Sequence, residues 1–69
     1  MNKVNKEFIL KKLGEPKYYN LQNLCEKYRI NYYAISAFID GDENIIIKEI
    51  ILLAHALKVD VGDLFIDED

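Results

Sequence analysis

The sequence predicts an all-α fold of five helices, and three observations lead there. Apolar residues recur at three- and four-residue spacing in several stretches, as they do on the buried face of a helix. Between those stretches stand residues that start or stop helices, among them Gly14, Pro16, Asn31, Gly41 and Asp60. Two-residue alternation, the mark of a half-buried strand, is sustained nowhere, so no strand is expected.

The first helix is expected from about Lys3 to Leu13, with Phe8, Ile9 and Leu13 inward and Lys3, Lys6, Lys11 and Lys12 largely elsewhere. Gly14 and Pro16 stop it, since proline has no N–H to donate and its ring obstructs the preceding turn. Asn20 has the side chain to cap a second helix from Leu21 to Tyr28, in which Leu24 and Tyr28 lie one turn apart with small Cys25 beside them. Arg29 and Ile30 make a short joint. Asn31 then caps a third helix, Tyr32 to Asp40, with Ile35 and Phe38 inward and Gly41 ending it in a left-handed conformation. The fourth helix, from about Ile45 to Lys58, carries the strongest stripe, Ile47, Ile50, Ile51, Ala54 and Leu57. Asp60 caps a short fifth helix, Val61 to Ile66, and Asp63 sits where negative charge complements a helix N-terminus. Residues 67–69 read as a solvated acidic tail.

At 69 residues, with 51% hydrophobic and 30% charged side chains, the chain is expected to be a single domain over 1–69 built around one core. Such a short chain buries only roughly 60% of the surface it exposes when unfolded, which leaves little room for an enclosed substrate cleft. The single Cys25 cannot form an internal bridge, and residues 1–7 lack the apolar run of a secretory signal, so a cytoplasmic location is expected. The most apolar region, Ile45 to Leu57, is interrupted by Lys48, Glu49 and His55, and no membrane span is expected. His55 has no ligand partner at metal-binding spacing, Cys25 has no catalytic histidine near it in sequence, and no phosphate-cradling glycine loop occurs. An enzyme, a bound metal, a cofactor and a small-molecule ligand are therefore not expected. The net charge of −3 hides a split: residues 1–34 carry seven basic and three acidic side chains, a balance of +4, and residues 35–69 carry two and nine, a balance of −7. If folding keeps the halves apart, one face is positive and the other negative.

Within Asn20 to Phe65 the segments NLQNLCEKYRI, NYYAISAFIDG, DEN and IIIKEIILLAHALKVDVGDLF follow one another without a gap. In order and spacing they resemble the lambda-repressor-like, Cro-like helix-turn-helix family, also called Xre-type. The resemblance implies a compact five-helix DNA-binding domain in which helices 2 and 3 form the helix-turn-helix. It places Cys25 where those two helices cross, Ile30 in the joint and Ile35 as the anchor of the recognition helix. Larger side chains at position 25 would force the pair apart at an overpacking cost of about 1–3 kcal/mol. The same resemblance implies double-stranded DNA as partner, with Asn31, Tyr32, Tyr33, Ser36 and Ala37 at base edges and Lys17, Gln22, Lys27 and Asn44 nearer the backbone.

Several residues depart from that pattern. Between positions 31 and 44 there is no Lys or Arg, whereas Asp40, Asp42 and Glu43 are acidic. Arg29 stands where the family usually has Gly, Leu21 replaces a polar residue that often meets phosphate, and Gly14-Glu15-Pro16 interrupts where the first helix would continue. Ile45, Ile46, Leu52 and Ile66, with Ile39, occupy positions commonly polar in the family, a surplus that predicts a homodimer with the first four at its interface. The leading expectation is thus a small sequence-specific transcriptional regulator acting as a dimer on a palindromic operator. The alternative is a protein-interaction module, an antirepressor or partner-binding subunit, that keeps the fold with little DNA affinity.

Overall fold

A computed structural model describes residues 2–67. Its elements are β1 (Asn2–Val4), α1 (Lys6–Leu13), α2 (Lys17–Tyr28), α3 (Tyr32–Ile39), α4 (Ile47–Leu57), a single 3-10 turn (Val61–Leu64) and β2 (Phe65–Asp67). The chain is mostly helical, in keeping with the expected class. Two features differ: the expected fifth helix is that 3-10 turn, and a two-stranded antiparallel ribbon joins the chain ends, pairing Lys3 with Ile66 and Val4 with Phe65.

The ribbon exists because α1 starts later than expected. The Asn5 side chain accepts a hydrogen bond from the Phe8 N–H at 3.2 Å, which caps the helix at Lys6 and releases residues 2–4 to extend. The Asn5 N–H in turn donates to the Leu64 carbonyl at 2.7 Å, so the ribbon continues directly into the packed interior. Asp67, expected in the tail, is part of β2, and residues 68 and 69 lie outside the described residues.

α2 departs in the opposite direction, starting at Lys17 rather than Leu21. Pro16, held at φ −77° and ψ 119° after a cis peptide bond, is the residue before the first helical turn. Asn20 is therefore inside the helix rather than at its cap. Its backbone N–H donates to the Pro16 carbonyl at 2.9 Å, and its side-chain amide donates to the Leu13 carbonyl, also at 2.9 Å. The second bond satisfies an acceptor that the end of α1 would otherwise leave open. Gly14, at φ 75°, makes the break between the two helices in a conformation that disfavours residues with a Cβ.

The core is Ile9 of α1, Leu21 and Cys25 of α2, Ile30 of the joint, Ile35, Phe38 and Ile39 of α3, Ile50, Leu53 and Ala54 of α4, and Leu64. Cys25, Ile30 and Ile35 are buried as expected where α2 meets α3. Phe65 closes the ribbon end of this core, its ring 5.7 Å from that of Phe38 and edge-on to it. Ile39, expected in the apolar surplus, is buried, and Phe8, expected inward, is only half-buried. The largest correction concerns α4. Ile47 and Ile51 of the expected inward stripe are 70% and 52% exposed, while Leu53 is fully buried. At about 100° per residue, Ile50, Leu53, Ala54 and Leu57 form one face, and Ile47 and Ile51 lie along its edge. Val61, at the start of the 3-10 turn, is exposed.

The basic and acidic halves of the chain meet at one ion pair. Lys6 of α1 donates to Asp40 at the end of α3 at 2.9 Å, which draws the basic half onto the acidic one. That contact also raises the Lys6 pKa, first through the hydrogen bond and then through the charge of Asp40. No described helix is long and apolar enough to cross a membrane.

Candidate nucleic-acid interface

The geometry between α2 and α3 starts from one backbone conformation. Arg29 adopts φ 57° and ψ 44°, left-handed despite its side chain, and this ends α2. The Ile30 N–H returns to the Cys25 carbonyl at 2.8 Å, turning Ile30 into the core and leaving Asn31 extended. Asn31 caps α3 as expected, its side-chain oxygen accepting from the N–H groups of Tyr33 at 3.0 Å and Ala34 at 3.2 Å. A second tether was not foreseen. Glu49 of α4 accepts a hydrogen bond from the Asn31 N–H at 3.3 Å and so fixes the start of α3 against α4.

With Ile35, Phe38 and Ile39 inward, the opposite side of α3 carries Tyr33, Ser36 and Ala37 within an arc of about 100°. Tyr33 dominates this surface at 81% exposure, whereas Ser36 and Ala37 are half-buried. Tyr32 belongs elsewhere. It packs partly against the core and meets the Tyr33 ring edge-on at 5.5 Å, so it supports Tyr33 rather than sharing its exposure. Asn31 is exposed, but its oxygen is engaged in capping, which leaves its amide N–H groups to donate outward. Of the five expected base contacts the structure thus brings Tyr33, Ser36, Ala37 and the Asn31 amide to one region and sets Tyr32 behind them.

The expected backbone contacts are more scattered. Gln22 and Lys27 are both exposed, yet at about 100° per residue they stand about 140° apart around α2. Lys17 is half-buried in the first turn of α2, with its ammonium 6.0 Å from the Tyr18 ring centre, and Lys27 stands 5.5 Å from that of Tyr28. Asn44 is exposed in the α3–α4 loop, where its N–H donates to Asp42 at 2.9 Å. Acidic groups surround α3: Asp40 at its end, Asp42 and Glu43 after it, and Glu49 at its start. Among the expected dimer residues, Ile46 is 71% and Ile66 45% exposed, whereas Ile45 and Leu52 are partly buried against the core.

A cleft of about 570 Å³ lies beside the C-terminal end of α3. Phe38, Ile39, Ile45, Ile50 and Phe65 are among its apolar lining residues, Lys3 and Lys6 contribute positive charge, and Asp40, Asp42 and Glu43 negative charge. The Cys25 thiol is closed off inside the core, and burial, helped by the negative charge of Glu49, pushes its pKa up to about 11. It is held as a neutral thiol and has none of the activation a nucleophile requires. Among the described residues no group of three or more His, Cys, Asp or Glu side chains converges as a metal site. No protein-family model, curated protein or solved structure matches the chain.

Proposed function

We propose that this protein is a small helix-turn-helix regulator of the kind its sequence resembles, laying α3 in the major groove of duplex DNA. The observation that carries the reading is Tyr33, an aromatic side chain 81% exposed on the outward face of a helix whose other face is anchored by Ile35. Its ring can pack on a thymine methyl and its hydroxyl can donate to a base edge or a phosphate, with Ser36 and the Asn31 amide as flanking donors. Lys17 and Lys27, about 80° apart around α2, supply the charged backbone contacts, and Gln22, on another side of that helix, does not join them. On this reading the 3-10 turn Val61–Leu64 would take the part of the family's fifth helix. Two copies on a palindromic operator would regulate by occluding polymerase. The reading requires no catalytic group or cofactor.

With so few cations near α3, the reading makes a quantitative demand. Binding through the two lysines alone gives log Kd against log salt a slope of about 1.8, since each neutralised phosphate contributes about 0.9. Fluorescence anisotropy on a labelled random duplex, from low to moderate salt, measures it. A shallow but definite slope, with affinity lowered in Tyr33→Ala and thermal stability retained, supports the proposal. No binding even at the lowest salt refutes it. The acidic ring of Asp40, Asp42, Glu43 and Glu49 favours a second reading, a protein-interaction module, and that null result is what the module predicts.

A further inference from the structure

Three of the apolar residues that the fold leaves uncovered collect at one place. Ile46, Ile47 and Ile51 are 71%, 70% and 52% exposed at the start of α4, and Ile47 also lines the cleft beside α3. Such a group costs a monomer solvation free energy and marks a surface that is covered by something. The charges around it narrow down what that is. Lys3 stands at the β1 side of the cleft, and Asp42 and Glu43 stand along the α3–α4 loop. Lys6 is already held by Asp40 within the chain, so Lys3 is the cation in the cleft lining left to meet an outside group.

A surface with an apolar middle, positive on one side and negative on the other, is complementary to itself. A twofold axis lying in the surface, between the two charged sides, brings the positive side of each copy onto the negative side of the other. We propose that this cleft, with Ile46, Ile47 and Ile51 beside it, is the seat of a second copy of this chain in a twofold dimer. Lys3 of each copy faces Asp42 and Glu43 of its partner. A stable interface buries about 800 Å² per partner, roughly a sixth of the 5047 Å² surface of this chain. That is more than the cleft alone offers, so the contact must extend over Ile46 and Ile51. The interface differs from the one expected from sequence, since Ile45 and Leu52 already serve the monomer's own packing. The proposal specifies the pairing assumed in the DNA-binding reading, but it concerns the protein without DNA and is tested without it.

The test is sedimentation equilibrium of the full chain with four samples: the parent, Ile47→Glu, Lys3→Glu and Glu43→Lys. The parent should be in monomer–dimer equilibrium. Ile47→Glu, at an exposed position, should keep its helical circular dichroism and weaken the dimer about tenfold or more, as loss of a central apolar contact does. Lys3→Glu and Glu43→Lys each place like charges together twice per dimer and should also weaken it. Mixed in equal amounts, these two variants should pair with each other again, because the substituted positions 3 and 43 then meet as opposite charges and the unsubstituted Lys3 still meets Asp42 and Glu43, leaving one like-charge contact, at Asp42. A parent of 8.1 kDa at all concentrations up to the millimolar range overturns the proposal. So does a dimer indifferent to Ile47→Glu, or a mixture of the two charge variants no more dimeric than either alone. Anisotropy on the same labelled random duplex at low salt then separates the two readings. A monomeric Ile47→Glu that still binds it upholds DNA recognition, and a dimeric parent that binds no DNA upholds the pairing alone.

Discussion

Arg29→Gly should stabilise the protein, and the size of the gain follows from one pair of dihedral angles. Arg29 sits at φ 57° and ψ 44°, where the Cβ of an L-residue crowds the following carbonyl at a cost of about 1–2 kcal/mol. Glycine escapes that cost but brings back a more flexible unfolded chain, worth about 0.5–1 kcal/mol in the other direction. The hydrogen bonds that end the helix come from the backbone, including Ile30 N–H to the Cys25 carbonyl at 2.8 Å, and they survive the substitution. The net gain is about 0.5–1 kcal/mol, which for a domain of this size raises Tm by about 2–8 °C. Thermal unfolding followed by circular dichroism measures it. Arg29→Ala is the control, since it removes the charge but keeps the Cβ and should leave Tm nearly where it was. A glycine variant that melts at or below the parent refutes the strain argument, and so does an alanine variant that matches glycine.

Lys58 ends α4 in nearly the same conformation, φ 60° and ψ 45°, so Lys58→Gly should give a similar rise that adds to the first in the double variant. Because Cys25 is raised to about 11 in the fold, it contributes stability below the thiol's unfolded pKa near 9, and that contribution is lost as pH climbs from about 9 through 11. Urea unfolding at pH 8 and pH 10.5 should show the parent losing on the order of 2 kcal/mol relative to Cys25→Ala. Parallel pH dependence in the two proteins would falsify that assignment. Glu49→Gln keeps an acceptor for the Asn31 N–H while removing a negative charge beside α3, so it should tighten duplex binding at low salt with little change in Tm. An unchanged or weaker affinity in that variant argues against α3 as the DNA-facing element.

What was legible in the sequence was mostly local. Asn31 as a cap, Gly41 after α3, Arg29 in the turn, and Cys25, Ile30 and Ile35 between α2 and α3 all depend on neighbours a few residues away. The ribbon was not legible, because three-residue strands are too short to display alternation and their pairing joins opposite ends of the chain. In α4 the periodicity misled for a different reason. With Ile or Leu at positions 45–47 and 50–53, several faces are apolar, and only packing against α2 and α3 selects the one through Ile50, Leu53 and Ala54. In the candidate site, the prominence of Tyr33 follows from helical spacing about Ile35, while the Glu49 tether spans 18 positions and leaves no periodic trace.

The most direct measurement is a nuclear magnetic resonance titration of the isotope-labelled protein with duplex DNA at low salt. If α3 enters the groove, amide signals of Asn31, Tyr33, Ser36 and Ala37 shift together and saturate, while those of α4's buried residues Leu53 and Ala54 stay in place. Spectra that remain unchanged at excess duplex, or shifts confined to the α4 isoleucines, contradict the account.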